Sequence, residues 1–403
     1  MVDFHQTGVI ATLHRLGRVD LKRLETELEA FAYQMPIALV LPCLYTELQG
    51  AALPSILKEL QSVKYLNEIV VALGSAHREE FNHARKFFKD LYCEVKILWI
   101  DGDRIQKLLA LLTQNDLDIG AEGKGRAAWL AYGYILARRR SKVIVLHDCD
   151  ILTYSREFLA RLCYPVVNPN MGYEFCKGYY PRITDRLHGR VTRLFLTPLL
   201  RTLQTMIGYH PFLVYLDSFR YPLAGEFSMI ADLAGVNRIP GDWGLEIGVL
   251  AEIYRNTSVK RVCQVDLCEN YDHKHQTLSP DDPQKGLMKM TIDITKSLLR
   301  NLATEGLVFD TAFFNTLRTA YLRAAQDAIK KYEDDAIING LIFDRHEERI
   351  AVEAFTRGIK MAVEEFLQDP LGIPQITNWN RVISAIPNFF RMLEDGVDVD
   401  NAE

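Results

Sequence analysis

The sequence predicts an α/β protein built on a mixed, mainly parallel sheet, and three observations carry that prediction. Apolar strand runs alternate with helical patterns through the first 150 residues. Residues suited to binding ions fall where those strands end. Beyond about Pro283 strand signals cease and long amphipathic helical patterns take over. In an open α/β sheet a ligand sits outside the carboxyl ends of the strands, so the repeated coincidence weighs more than any one motif.

Residues 1–36 read as a helical lead-in, because Leu21, Leu24, Leu28 and Phe31 recur at helical spacing among charged residues. The period then changes. Ile37-Ala38-Leu39-Val40-Leu41 is a continuous apolar strand that Pro42, which cannot donate to a ladder, is expected to stop. A helical pattern spans Leu53 to Val63, and Ile69-Val70-Val71-Ala72-Leu73 is a second strand ended by Gly74-Ser75. Val95 to Ile100 predicts a third strand, leading into Asp101-Gly102-Asp103. Gly123-Lys124-Gly125 then opens an alanine-rich helix to about Arg140, followed by the strand Lys142-Val143-Ile144-Val145-Leu146.

Residues 171–275 read as loop-rich with small strands. The helices after them include 320–332 and 347–367, and Val352, Phe355, Ile359, Val363 and Phe366 form an apolar stripe expected to bury against the rest of the chain or a second subunit. Residues 398–403 read as a frayed acidic tail. The expected division is a lead-in of 1–36, an α/β domain of 37–285 whose halves meet near residue 150, and a helical extension of 286–403.

The 403 residues are 48% hydrophobic and 25% charged, which describes a chain able to bury a substantial core. A formal net charge of -5 provides no global attraction for nucleic acid, so no nucleic-acid partner is expected. Seven cysteines without a C-x-x-C pair suggest buried free thiols in a reducing, cytoplasmic setting rather than a disulfide framework or zinc knuckle. No apolar run approaches the roughly 18 to 20 residues that span a bilayer, so no membrane partner is expected.

The most informative segment is His147-Asp148-Cys149-Asp150, directly after a strand. In extended chain, i and i+2 project to the same side, so Asp148 and Asp150 present two like charges together. A hard divalent cation, Mg²⁺ or Mn²⁺, relieves that repulsion and shares its oxygen ligands with a substrate diphosphate. The plainer alternative is a turn or helix cap. Gly123-Lys124-Gly125 lacks P-loop spacing, but opens a helix whose N–H groups, with the Lys124 ammonium, suit an anion. His273 and His275 form an H-x-H pair, and one imidazole joined to two carboxylates suits Mn²⁺ or Mg²⁺ better than zinc. Glu226 and Glu246 sit beside glycines in apolar settings, where a carboxylate is either paired or functional. Gly189-Arg190-Val191-Thr192 offers a guanidinium and a hydroxyl, a natural anion clamp, or else an ordinary surface helix start.

Taken in order, Val40-Leu41-Pro42, Gly123-Lys124-Gly125, Asp148-Cys149-Asp150, Gly189-Arg190-Val191-Thr192, Pro222-Leu223-Ala224-Gly225-Glu226, Gly244-Leu245-Glu246-Ile247-Gly248 and Gln264-Val265 with His273 resemble the glucosyl-3-phosphoglycerate synthases. These are retaining glycosyltransferases of GT-A fold, with a Rossmann-like nucleotide-sugar-binding sheet. The resemblance covers roughly 37–280. It implies that Asp150 and His273 ligate Mg²⁺ or Mn²⁺, that Asp148 touches the ribose, and that Lys124 approaches the diphosphate. Asp148, Glu246 and Lys124 would then be the catalytic set, with Glu246 near the reacting sugar. Pro42, Cys43, Gly74 and Ser75 would line the uridine pocket, and Gly189, Arg190 and Thr192 would hold the phosphate of a small phosphorylated acceptor. A homodimer is a further expectation. The sequence departs from the family at Leu44-Tyr45-Thr46-Glu47, Leu73-Gly74-Ser75 and Tyr271-Asp272-His273-Lys274-His275-Gln276, which touches donor and acceptor identity more than glycosyl transfer. Rival readings are GDP-mannose or glycerate as substrates, a sugar nucleotidyltransferase, or a non-catalytic nucleotide-binding protein.

Overall fold

The computed structural model describes all residues except 1–5, 7, 274–277, 280–281, 373–374 and 403. The first half alternates strands and helices: β1 (Ala11–Leu13), α1 (Leu21–Ala32), β2 (Ile37–Leu44), α2 (Ala52–Leu60), β3 (Leu66–Gly74), α3 (Arg78–Phe87), β4 (Glu94–Trp99), α4 (Asp103–Gln114), α5 (Lys124–Arg138) and β5 (Val143–Leu146). The second half holds α6 (Arg156–Val167), β6 (Phe175–Tyr179), α7 (Thr197–Ile207), α8 (Pro211–Asp217), β7 (Phe227–Ile230), α9 (Ala231–Val236), α10 (Leu245–Asn256) and β8 (Val262–Asp266). Among the described residues five helices follow: α11 (Gly286–Thr304), α12 (Thr311–Ile338), α13 (Arg345–Gln368), α14 (Trp379–Ala385) and α15 (Phe389–Ala402).

Among the described residues eight strands form one sheet in the order β1-β8-β6-β7-β5-β2-β3-β4. All neighbours run parallel except β7, which is antiparallel to both β5 and β6. The mixed, mainly parallel sheet is thus as expected. Its central strands β2 and β5 are apolar throughout because both faces are covered. Ala38 and Val40 pack on the α5 side, whereas Ile37, Leu39 and Leu41 pack on the side of α1, α2 and α6.

Four expectations need correction. The lead-in is not purely helical, since β1 adds an edge strand to β8, and Gln264 Nε2 donates to Thr12 Oγ1 at 2.8 Å. Three residues give too short a run to show a period of two. Pro42 does not stop β2, which continues to Leu44 with Pro42 opposite Ala72. The pairing with β5 ends at Val40, so past that point β2 has no partner on that side and the missing N–H costs no ladder bond.

Residues 171–275 hold four helices, and Pro198 and Pro211, which read as loop punctuation, occupy the first turns of α7 and α8. Residues 398–402 are not frayed. Asp398 bonds to Lys96 and Tyr134, Asp400 is buried against Arg104, and the Asn401 amide accepts from Ile97 N (3.0 Å) and donates to Ile97 O (2.8 Å). That amide covers the open edge of β4 as another strand would.

The helical extension is as expected in kind. Its stripe Val352, Phe355, Ile359, Val363 and Phe366 is buried within the chain, so the face that suggested a second subunit is already covered. Trp379 stacks on Trp129 of α5, with centroids 4.0 Å apart. Residues 376 and 377 bond to Ile239 O and Asp118 O, joining the loop before α5 to the loop before α10. No helix among the described residues is long and apolar enough to cross a membrane.

Candidate active site

The strand directions bring four strands to one edge. Strands β5, β6 and β8 end there, and antiparallel β7 begins there, so Leu146 pairs with Phe227 and Glu226 arrives beside His147 and Asp148. The first turns of α5 and α10 add Lys124 and Glu246. Above this edge lies a cavity of about 870 Å³.

Its floor is a charge cluster. Lys124 Nζ lies 2.6 Å from Asp148 Oδ1 and 3.7 Å from Glu246 Oε1. Burial opposes the charge on Lys124, but Asp148 and Glu246 outweigh it and raise its pKa. Burial likewise disfavours ionised Asp148, and Lys124 more than compensates, so the carboxyl is held below its ordinary range. Close approach permits this arrangement: a Cβ on Gly225 would fall 2.6 Å from Lys124 Nζ, and one on Gly125 only 2.3 Å from Pro240 O.

Asp150 and His273 form the second feature, with Oδ2 and Nδ1 3.6 Å apart. Both line the cavity together with Asp148, while intervening Cys149 points into the core, as alternation in extended chain requires. Among the described residues no group of three or more His, Cys, Asp or Glu side chains could by itself hold a metal ion. One oxygen and one nitrogen ligand facing an open cavity nonetheless fit a hard cation that takes its remaining ligands from substrate and water. His275 lies outside the described residues.

Glu226 is fully buried, and both its oxygens accept short hydrogen bonds, from Tyr180 and Tyr271 hydroxyls at 2.6 Å each. The two rings stack 3.8 Å apart. Burial and then the Asp148 charge raise the Glu226 pKa despite these donors. His147, also fully buried, is driven down to about 4 by burial, so it is neutral at pH 7, and its Nδ1 lies 2.9 Å from Asp148 O.

On the opposite wall stand Gly189, Arg190 and Thr192. Gly189 has φ +73°, and a π-helical turn over Val191–Leu196 leads into α7. Such turns often mark functional sites. Arg190 is not an open clamp, because its Nε donates to Glu348 Oε1 at 2.7 Å, and Arg193 Nη1 lies 3.0 Å from Glu348 Oε2. Asp344 caps α13 by accepting from the N–H groups of His346 and Glu347, which sets Glu348 in the first turn. Thr192 Oγ1 is buried and has no hydrogen-bond partner among the described residues.

Sequence reasoning missed Glu348, Arg182 and Lys289, all on the cavity wall. Glu348 lay in a helix read only for its apolar stripe, and no local pattern marks it. Conversely, Pro42, Cys43, Gly74 and Ser75 do not line the cavity. They lie at or just past the carboxyl ends of β2 and β3, and Cys43 is a buried free thiol beside that of Cys149. Ser75 has φ +54°, and the next N–H, of Ala76, donates to Asp101 at 2.9 Å.

Known proteins share this architecture. No family model matches the chain. It is 47% identical over 403 residues to glucosyl-3-phosphoglycerate synthase of Persephonella marina, covering 100% of both chains. To the enzyme of the same name from Methanococcoides burtonii it is 38% identical over 408 residues, 100% of this chain and 99% of the relative. Mycobacterium tuberculosis glucosyl-3-phosphoglycerate synthase, solved with Mn²⁺, UDP-glucose and phosphoglyceric acid, superposes with a TM-score of 0.53 at 23% identity, over 75% of this chain and 89% of that one. Mannosyl-3-phosphoglycerate synthase of Rubrobacter xylanophilus gives 0.54 at 22%, over 75% and 83%. These likenesses show the GT-A-like fold, and identity along the whole length with named relatives shows that the chain belongs to the glucosyl-3-phosphoglycerate synthase family and is a glycosyltransferase.

Proposed function

We propose that the protein transfers glucose from UDP-glucose to the hydroxyl of D-3-phosphoglycerate, with retention at the anomeric carbon and with Mg²⁺ or Mn²⁺ bound. One observation carries the reading: the Lys124–Asp148–Glu246 cluster, the Asp150–His273 pair and the Gly189–Thr192 turn share a single cavity. Full-length identity with the Persephonella marina enzyme supports the substrates.

In this reading Asp150 and His273 hold the metal, which when bound offsets charge growing on the departing diphosphate. Lys124, kept protonated by its carboxylate neighbours, faces the same phosphates, and Asp148 orients both Lys124 and the ribose. Pro42, Gly74 and Ser75, at the carboxyl ends of β2 and β3 outside the cavity, would border the base, with buried Cys43 behind them. Glu246 fixes the sugar, and Gly189, Arg190 and Thr192 hold the acceptor phosphate so that its hydroxyl meets the anomeric carbon on the face the diphosphate leaves. No side chain is needed as covalent nucleophile, because a leaving-group phosphate oxygen can take the acceptor proton.

A screen of UDP-, GDP- and ADP-sugars against 3-phosphoglycerate and glycerate tests this. UDP release dependent on 3-phosphoglycerate, with an α-linked product by NMR, is expected. Turnover only with GDP-mannose or only with glycerate would overturn the substrate assignment, and pyrophosphate release would point to a nucleotidyltransferase.

A further inference from the structure

Lys177 in β6 is 1% exposed, and among the described residues its Nζ has no hydrogen-bond partner. It pairs across the sheet with Phe227 and Gln264, and the Nζ hangs 5.6 Å from the centroid of the Phe227 ring. Phe175, two residues earlier and so on the same face, packs in the core that includes Leu130 of α5 and Leu250 of α10. The ammonium therefore lies on the side of the sheet whose helices carry Lys124 and Glu246 in their first turns, under the cavity rather than in its wall.

A solitary buried ammonium persists only where other charges compensate it. Glu246 of α10, Glu226 before β7 and Asp148 after β5 favour its charge, while Lys124 of α5 opposes it. Without Lys177, Lys124 would be the ammonium left facing these three carboxylates. Burial is the largest effect and lowers the pKa to about 8, so the proton is held at pH 7 and lost in mild alkali.

We propose that Lys177 is a positioning residue of the transfer reaction, supplying from beneath the floor the positive charge that holds the Glu246 carboxylate turned toward the donor sugar. The proposal rests on the nucleotide-sugar reading of that floor. Nothing in the local sequence announces it, since a lysine in a short strand reads as a surface residue.

The test compares wild type with Lys177→Met, which keeps the shape without the charge, and Lys177→Arg, which keeps the charge. At pH 7 Lys177→Met should lower kcat about ten-fold or more while the acceptor KM moves less than about two-fold, and Lys177→Arg should recover part of the loss. Wild-type kcat should fall with an apparent pKa of about 8, and Lys177→Met should lack that limb. Rates are read with whichever donor and acceptor wild type turns over, so wild-type inactivity on UDP-glucose and 3-phosphoglycerate counts only against the proposed function. A folded Lys177→Met with wild-type kcat would overturn the positioning role. If that variant does not fold, the wild-type profile decides, and a flat kcat from pH 7 to about 9.5 is the overturning result.

Discussion

The two walls of the cavity are built differently. The floor is assembled from strand ends and helix starts, and its key groups, Lys124 and Asp148, are 24 positions apart and set by motifs visible in the chain. The opposite wall is assembled across the molecule: Arg190 meets Glu348, 158 residues away on a helix of the C-terminal extension. An αβ sheet puts its loops at one edge by topology alone, whereas a helix packed on that edge is placed by burial of its stripe. The floor is therefore a property of the fold, and the far wall a property of docking.

The largest expected effect breaks the floor. Asp150→Ala or His273→Ala should abolish metal-dependent turnover and weaken Mn²⁺ binding by calorimetry, with the folded state kept. Full activity in either variant, or in excess chelator, would remove the metal pair from the comparison.

Next comes stability with pH. His147 has its folded pKa lowered by burial to about 4, against 6.5 when unfolded, so the unfolded chain binds the extra proton between those values. The contribution is fully present above about pH 6.5 and is lost as pH falls toward 4, up to about 3 kcal/mol. Denaturant melts from pH 7 to 4 should show this loss, and His147→Phe should flatten it; an unchanged slope would mean that the floor does not depend on a neutral imidazole.

On the far wall, Arg190→Ala should remove a charge-assisted contact of about 1.5 to 3 kcal/mol, raising the KM for 3-phosphoglycerate roughly ten- to a hundred-fold while donor affinity barely moves. Arg190→Lys should recover only part, since an ammonium cannot form a bidentate fork. With glycerate the change should be much smaller, and equal losses with both acceptors would move the phosphate elsewhere. The smallest effect is expected from Glu348→Gln. It loosens Arg190 without removing it, so the acceptor KM should shift only about three- to five-fold, while the donor KM stays constant. A change in the donor KM would mean that the two walls are not separate.

Strand runs, the helix opened by Gly123-Lys124-Gly125 and the paired carboxylates after β5 were legible because period and turn chemistry are local. Pro42 misled because a proline reads as a stop until the partner strand is known to have ended. Arg190 was legible as a clamp for an anion, but the Glu348 carboxylate that it meets in the structure was not.

By itself, the sequence determined the layered α/β architecture, the edge where chemistry gathers, and the residues Lys124, Asp148, Asp150, Glu246 and His273 that line its cavity. Periodicity and strand-end placement are consequences of backbone geometry, which any stretch of chain displays. Only the tertiary structure decided that β1 extends one end of the sheet and Asn401 covers the other, that Glu348 holds Arg190, and that Lys177 is buried below the floor. Each depends on residues far apart in the chain meeting in a desolvated place, where the partner sets the charge and the reach of a side chain, and no local pattern encodes that partner.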